Sequence, residues 1–225
     1  MDNKSKYIIV SVIISSAIMT FVDGVIEPQY MVKSIVKLIL FLIIPMFYFI
    51  INRKELYGFK SLFKPQKRYL IYAAFLGAGV YAVILAGYFL LRNVVDFSGI
   101  TLQLTGDNGI TADNFILVSV YISLVNSLLE EFFFRGFAFI TLVKKINVKS
   151  AYVFSALTFA LYHTGMMIAW FEIWVFALAL IGLFAGGCIF NWLNSCCKNI
   201  YPSWIVHMCA NFAINTVGFI LFGII

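Results

Sequence analysis

The sequence predicts an all-α protein, a polytopic transmembrane helical bundle, and three observations carry that expectation. Of its 225 residues, 63% are hydrophobic and only 12% charged, with a mean hydropathy of +0.98, far from the composition of soluble domains. The apolar residues fall in seven runs, at about 7–22, 30–51, 70–91, 114–140, 151–168, 170–190 and 202–223, each near the roughly 20 residues that cross a hydrocarbon core. Basic residues gather in alternate connecting segments, the pattern that sets membrane topology.

Lys4 and Lys6 precede the first run, which reads as a span rather than a cleaved signal because no small-residue cleavage site follows it. Arg53, Lys54, Lys60, Lys64, Lys67 and Arg68 follow the second, Lys144, Lys145 and Lys149 the fourth, and Lys198 the sixth. The other connections hold Asp23, Glu27, Asp96, Asp107, Asp113 and Glu172, with Lys33, Lys37 and Arg92 as their basic residues. The N-terminus is therefore expected on the cytoplasmic side and the C-terminus outside. The fifth and sixth runs are nearly continuous, so a tight turn is expected between Gly165 and Glu172, and an eighth embedded piece stays open.

Within this frame, Pro45 is expected to kink the second span, and Pro202 to occupy the first turn of the last. Residues 52–69, with bases interleaved among Leu56, Tyr57, Phe59, Leu62 and Phe63, suit either an amphipathic stretch on an anionic leaflet or a solvated loop. The segment 92–113, with Gly106, Asp107, Asn108 and Gly109, reads as an external loop capped by Thr111 or Asp113 before the fourth span. Gly182 and Gly186 form a small-xxx-small pair expected to pack closely. One membrane domain over 1–225 accounts for all of this.

Composition also excludes some functions. The net charge of +6 is spread over short loops, so no nucleic-acid surface is expected. Cys188, Cys196, Cys197 and Cys209 lack Cys-x-x-Cys spacing and read as free thiols.

The costliest stretch is Glu130-Glu131-Phe132-Phe133-Phe134-Arg135. A charged side chain near mid-bilayer costs at least about 2.5–3.5 kcal/mol, which makes such residues functional candidates. At helical spacing Glu131 and Arg135 share a face and can neutralise one another, while Glu130 points about 100° away, free to face a wet cavity as a general base. Both histidines of the chain, His163 and His207, fall in later apolar runs, and His207 and Asn211 share a face one turn apart. Counting about 1.5 Å per residue from the cytoplasmic ends, Glu130, His163 and His207 can meet in one site.

Glu-Glu-x-x-x-Arg as Glu130, Glu131 and Arg135, Phe-x-x-x-His as Phe159 and His163, and His-x-x-x-Asn as His207 and Asn211 together resemble the signature of the CAAX protease and bacteriocin-processing (CPBP or Abi) family. This family includes the type II CAAX prenyl endopeptidases. The resemblance covers about residues 115–220 and leaves residues 1–110, the first three spans, without a recognised motif. It implies an intramembrane endopeptidase with its site open to the cytoplasm and the membrane. Glu130 would activate water with His163 assisting, His207 and Asn211 would stabilise the oxyanion, and Glu131 with Arg135 would brace the helix.

No tightly bound cofactor is expected. Zinc held by Glu130, His163 and His207 is the alternative. The expected partners are membrane lipid and a hydrophobic or lipidated peptide, in a bacterial plasma membrane. A non-catalytic immunity or regulatory partner with the same bundle is the competing function. A proton or metal-ion transporter, a third, lacks a broken-helix repeat.

Overall fold

The computed structural model describes every residue except Met1, Asp107, Asn108 and Ala169, and the side chains of Leu56, Tyr57 and Gln103 also lie outside the described residues. The described residues are 84% helical, with no strand among them. Its helices are α1 (Asn3–Ile26), α2 (Tyr30–Ile51), α3 (Arg53–Ser61), α4 (Lys67–Leu91), α5 (Ser98–Thr105), α6 (Ala112–Lys144), α7 (Val148–Tyr162), α8 (Thr164–Met167), α9 (Ile173–Cys197) and α10 (Tyr201–Leu221). Of these, α1, α2, α4, α6, α9 and α10 are long and apolar enough to cross a membrane.

The fifth apolar run differs from the continuous span expected. Its helix, α7, has only 15 residues, roughly 22 Å, and His163 closes it. The cause is local competition for backbone carbonyls. The Thr164 hydroxyl donates to the Leu161 carbonyl at 2.7 Å, and the Thr20 hydroxyl of α1 donates to the Tyr162 carbonyl at 3.2 Å. Gly165 then lets the chain pass directly over α1, where an added Cβ would collide with the Thr20 carbonyl. His163 is thereby placed at a helix end, where its ring can turn inward.

Helix α6 runs through the middle of the bundle and touches α1, α2, α7, α9 and α10. Every residue from Glu131 to Thr141 is buried, and the aromatic side chains of this stretch form the core. Phe41 of α2 stacks on Phe133 at 4.1 Å between ring centroids, while Tyr48 and Phe49 pack edge-on against Phe137. By contrast, α4 packs along α10 and leaves Phe75, Val83 and Leu90 exposed, as a lipid-facing helix should.

Four π-helical stretches interrupt these helices, at Val22–Ile26, Ile39–Ile43, Ile122–Asn126 and Glu131–Thr141. The second lies just before Pro45. Proline removes one donor from the ladder, and the wider turn accommodates that loss. The third and fourth flank Glu130, in keeping with the frequent placement of π-bulges at functional sites.

Thr111 caps α6, its N–H donating to the Asn114 side chain at 2.9 Å, and Pro202 sits in the first turn of α10. Of the expected 92–113 loop, residues 98–105 form α5, while Asp107 and Asn108 lie outside the described residues. The 52–69 stretch forms α3 and is tied into the bundle end: Leu62 is fully buried, its carbonyl accepts from the Ile200 N–H at 3.1 Å, and Glu55 pairs with Lys145 at 2.6 Å. Gly182 and Gly186 do not pack within the chain as expected, since an added Cβ at either would meet nothing within 4 Å. The close approach falls at Gly187 instead, where an added Cβ would lie 3.1 Å from the Ala156 Cα.

Candidate active site

Three helices bring the signature residues together. Glu130 and Glu131 come from α6, His163 from the end of α7, and His207 from the second turn of α10. Glu130 is 2% exposed and Glu131 wholly buried, so each carboxylate must find partners inside the protein.

Glu130 is satisfied on one side only. Its Oε1 accepts from the Tyr162 hydroxyl at 2.8 Å, from Asn126 Nδ2 at 2.9 Å and from Lys37 Nζ at 3.2 Å. Its Oε2 accepts no hydrogen bond. That oxygen faces His207 Nε2 at 3.7 Å and His163 Nε2 at 3.8 Å, gaps too long for direct hydrogen bonds and short enough for one water to touch all three atoms.

The outer edges of both histidines are committed. His163 Nδ1 lies 2.7 Å from the Phe159 carbonyl. A carbonyl can only accept, so Nδ1 carries the proton and the neutral ring offers a lone pair at Nε2. His207 Nδ1 lies 3.0 Å from Glu131 Oε1, which turns Nε2 of that ring toward Glu130. Phe190 stacks on His207 at 5.2 Å and Phe159 meets both imidazoles edge-on, at 4.8 Å for His163 and 5.7 Å for His207. Phe159 therefore sits where both rings need a wall, which gives the Phe-x-x-x-His spacing a packing reason.

Two readings of the isolated sequence are corrected here. Glu131 is more than a brace for Arg135, because its two oxygens divide between His207 and Arg135 Nε, the latter at 3.4 Å. The π turn separates successive side chains by a smaller angle than an α turn, so both carboxylates reach the His207 ring. Glu130, read as free and facing a wet cavity, is instead buried and bonded at Oε1 to three donors.

Arg135 is fully buried with no hydrogen bond from its guanidinium. The group lies over the rings of Phe159 at 4.3 Å, Phe190 at 5.1 Å and Phe134 at 5.9 Å, so ring faces replace water around the cation. Asn211 stands one turn beyond His207, its Nδ2 donating to the Ile122 carbonyl at 3.2 Å. No hydrogen bond or ion pair joins it to Glu130, His163 or His207 among the described residues. Its amide has a second hydrogen to offer.

Lys37, Asn126 and Tyr162 were not singled out from the sequence. Lys37 read as a loop charge, although its position inside the second apolar run was a signal of high cost. Asn126, one turn before Glu130, could have been found as a same-face amide.

A zinc site built on Glu130, His163 and His207 fits this arrangement poorly. No group of three His, Cys, Asp or Glu side chains is placed to hold a metal ion among the described residues. The carboxylate already has a cation, Lys37, 3.2 Å from Oε1. The His163 Nε2 lone pair and the free carboxylate oxygen can instead receive the two hydrogens of a water and leave its oxygen ready to attack.

Such a buried carboxylate and two histidines inside a helical membrane bundle define an integral membrane protein with the makings of a hydrolytic centre. Residues 112–213 match the family described as type II CAAX prenyl endopeptidase Rce1-like. The matched stretch contains Glu130, Glu131, Arg135, Phe159, His163, His207 and Asn211. No curated protein and no solved structure matches the chain.

Proposed function

We propose that the protein is an intramembrane endopeptidase that hydrolyses a peptide bond in a membrane-associated, apolar or lipidated peptide, using water activated by Glu130 rather than by bound zinc. The observation that carries this reading is the buried Glu130 Oε2, without a hydrogen bond and 3.7–3.8 Å from two imidazole nitrogens. Glu130 takes the proton of the attacking water and His163 holds that water in line. As the carbonyl becomes tetrahedral, His207 Nε2, protonated and balanced by Glu131 at Nδ1, donates to the oxyanion together with the second amide hydrogen of Asn211. As the intermediate collapses, Glu130 passes that proton to the amine nitrogen, the C–N bond breaks, and the peptide leaves as a carboxylic acid and an amine.

The substrate class follows from the surroundings. An apolar groove of about 630 Å³ runs between α1 and α7–α8, lined by Ile13, Ala17, Phe21, Leu161 and Ile168, and Tyr162 in its wall donates to Glu130. Such a groove suits an apolar or lipidated segment better than a polar peptide. The basic loops favour a site approached from the cytoplasmic face of a plasma membrane.

The test is to incubate the purified protein in vesicles with a solubilised bacterial membrane extract and to read new peptide N-termini by mass spectrometry. Termini should appear with the native protein, fall at least about 100-fold with Glu130→Gln, and persist after strong chelation. Equal cleavage by a folded Glu130→Gln variant refutes the assignment, and loss on chelation restored by zinc alone refutes the metal-free chemistry.

A further inference from the structure

The region outside the family match supplies one charge to the site. Lys37 lies in α2, and its side chain is 13% exposed. Its ammonium is 3.2 Å from Glu130 Oε1, 2.8 Å from Asn126 Oδ1 and 5.1 Å from the Tyr162 ring centroid. One turn earlier on the same face, Lys33 pairs with Asp23 of α1 at 3.7 Å. Asp23 also lies within the field of Lys37 and Glu130, but of the two lysines it is Lys37 that pairs with Glu130 in the candidate centre.

We propose that Lys37 is a positioning residue: with Asn126 and Tyr162 it holds one oxygen of Glu130 so that the other is the one presented to water, His163 and His207. This rests on the endopeptidase reading above. Three donors on one oxygen and none on the other is an asymmetric load for a carboxylate, which has about four acceptor positions to share between its oxygens. The load fixes the carboxylate's rotation as well as its place. Asn126 and Tyr162 are neutral, so Lys37 alone contributes a full counter-charge at Oε1, and a buried carboxylate needs one.

The other charged and titratable groups around Glu130 act elsewhere. His163 and His207 face Oε2, while Glu131 and Arg135 pair on the far side of His207. Lys37 is 3.2 Å from Oε1 and hydrogen-bonds neither histidine among the described residues, so its direct contact is with Glu130, although its charge is also felt at His163. An intramembrane lysine bonded to the base from a different helix also explains why α2 retains it at the cost of burying a charge in an apolar helix.

The experiment uses the full chain in vesicles, as the native protein, Lys37→Met and Lys37→Arg, each with and without Glu130→Gln. Infrared difference spectra between each variant and its Glu130→Gln counterpart isolate the Glu130 carboxyl band. The membrane-extract assay gives the rate at which Glu130-dependent N-termini appear. The expected result is a shifted Glu130 band and a rate lowered about 100-fold in Lys37→Met, with the native band and a rate within about tenfold of native in Lys37→Arg.

An unchanged band and rate in Lys37→Met overturn the proposal. So does a lost rate with an unchanged band and no rescue by arginine, which marks a structural role. If Lys37→Met does not fold, Lys37→Gln, which keeps a donor without the charge, takes its place under the same criteria. Native protein that yields no Glu130-dependent termini refutes the endopeptidase reading instead, and the positioning role falls with it even where the band has shifted.

Discussion

The region matched by the family, residues 112–213, and the region before it are built on different terms. The matched region carries the charge pairs of the candidate centre: Glu131 with Arg135, and Glu130 with its two histidines. Its central helix is enclosed over the whole stretch from Glu131 to Thr141. In the preceding region α4 is nearly all exposed outside its contact with α10, whereas α1 and α2 are as enclosed as the matched helices. It meets the matched region along α4–α10 and α1–α7, and at several single points, each with a definite job. Phe41 stacks on Phe133, Gly24 and Gly165 cross at close range, Glu55 holds Lys145, and Lys37 reaches Glu130. One region holds the chemistry, and the other wedges it in place from outside.

That contrast can be broken by substitution. The largest effect is expected for Arg135→Ala, which leaves Glu131 buried without its cation and empties the space among Phe134, Phe159 and Phe190. Removing one partner of a buried pair costs about 3–5 kcal/mol, read as a loss of unfolding free energy in detergent. An unchanged stability would show that the aromatic box, and not the ion pair, holds this side of the helix.

A smaller loss is expected for Gly165→Val, where the new side chain forces α8 away from the Thr20 carbonyl of α1. Overpacking of this kind costs about 1–3 kcal/mol, and because Gly165 follows His163 by two residues, cleavage should fall together with thermal stability. A stable variant with full cleavage would remove α1 from the support of the site.

The smallest effect belongs to the end of the bundle closed by α3. Lys145→Ala breaks the 2.6 Å pair with Glu55 and should cost about 1 kcal/mol or less, without changing cleavage. Burial alone would push the Lys145 ammonium down, but its hydrogen bond to Glu55, together with the further influence of Tyr48 and the Glu55 charge, outweighs this and holds it above its ordinary value of 10.5. A base raised on folding stabilises the protein fully below that ordinary value and loses the contribution as the pH climbs past it. The difference in stability between native protein and Lys145→Ala should therefore be constant through neutral pH and close only in strong alkali. A difference that instead closes on mild acidification would point to Glu55 as the controlling group.

Much of this molecule was legible without coordinates. Composition settled a helical membrane bundle, because only a closed set of backbone hydrogen bonds tolerates such apolar surroundings. The price of charge in those surroundings singled out Glu130, Glu131, Arg135, His163 and His207, and helical spacing placed Arg135 beside Glu131.

What only the tertiary structure decided is who faces whom. Lys37 and Glu130 are 93 residues apart, and an ion pair between distant helices leaves no periodic trace. Helix α7 ends at His163 because the Thr20 hydroxyl from α1 takes the Tyr162 carbonyl, a competitor invisible within the run itself. Glu131 reaches His207 as well as Arg135 because its turn is π-helical, which breaks the 3.6-residue period from which the facing directions were read. Sequence neighbours determine which side chains are costly and which share a helix face; the partners that offset the cost depend on the rotation and offset of whole helices, which packing alone sets.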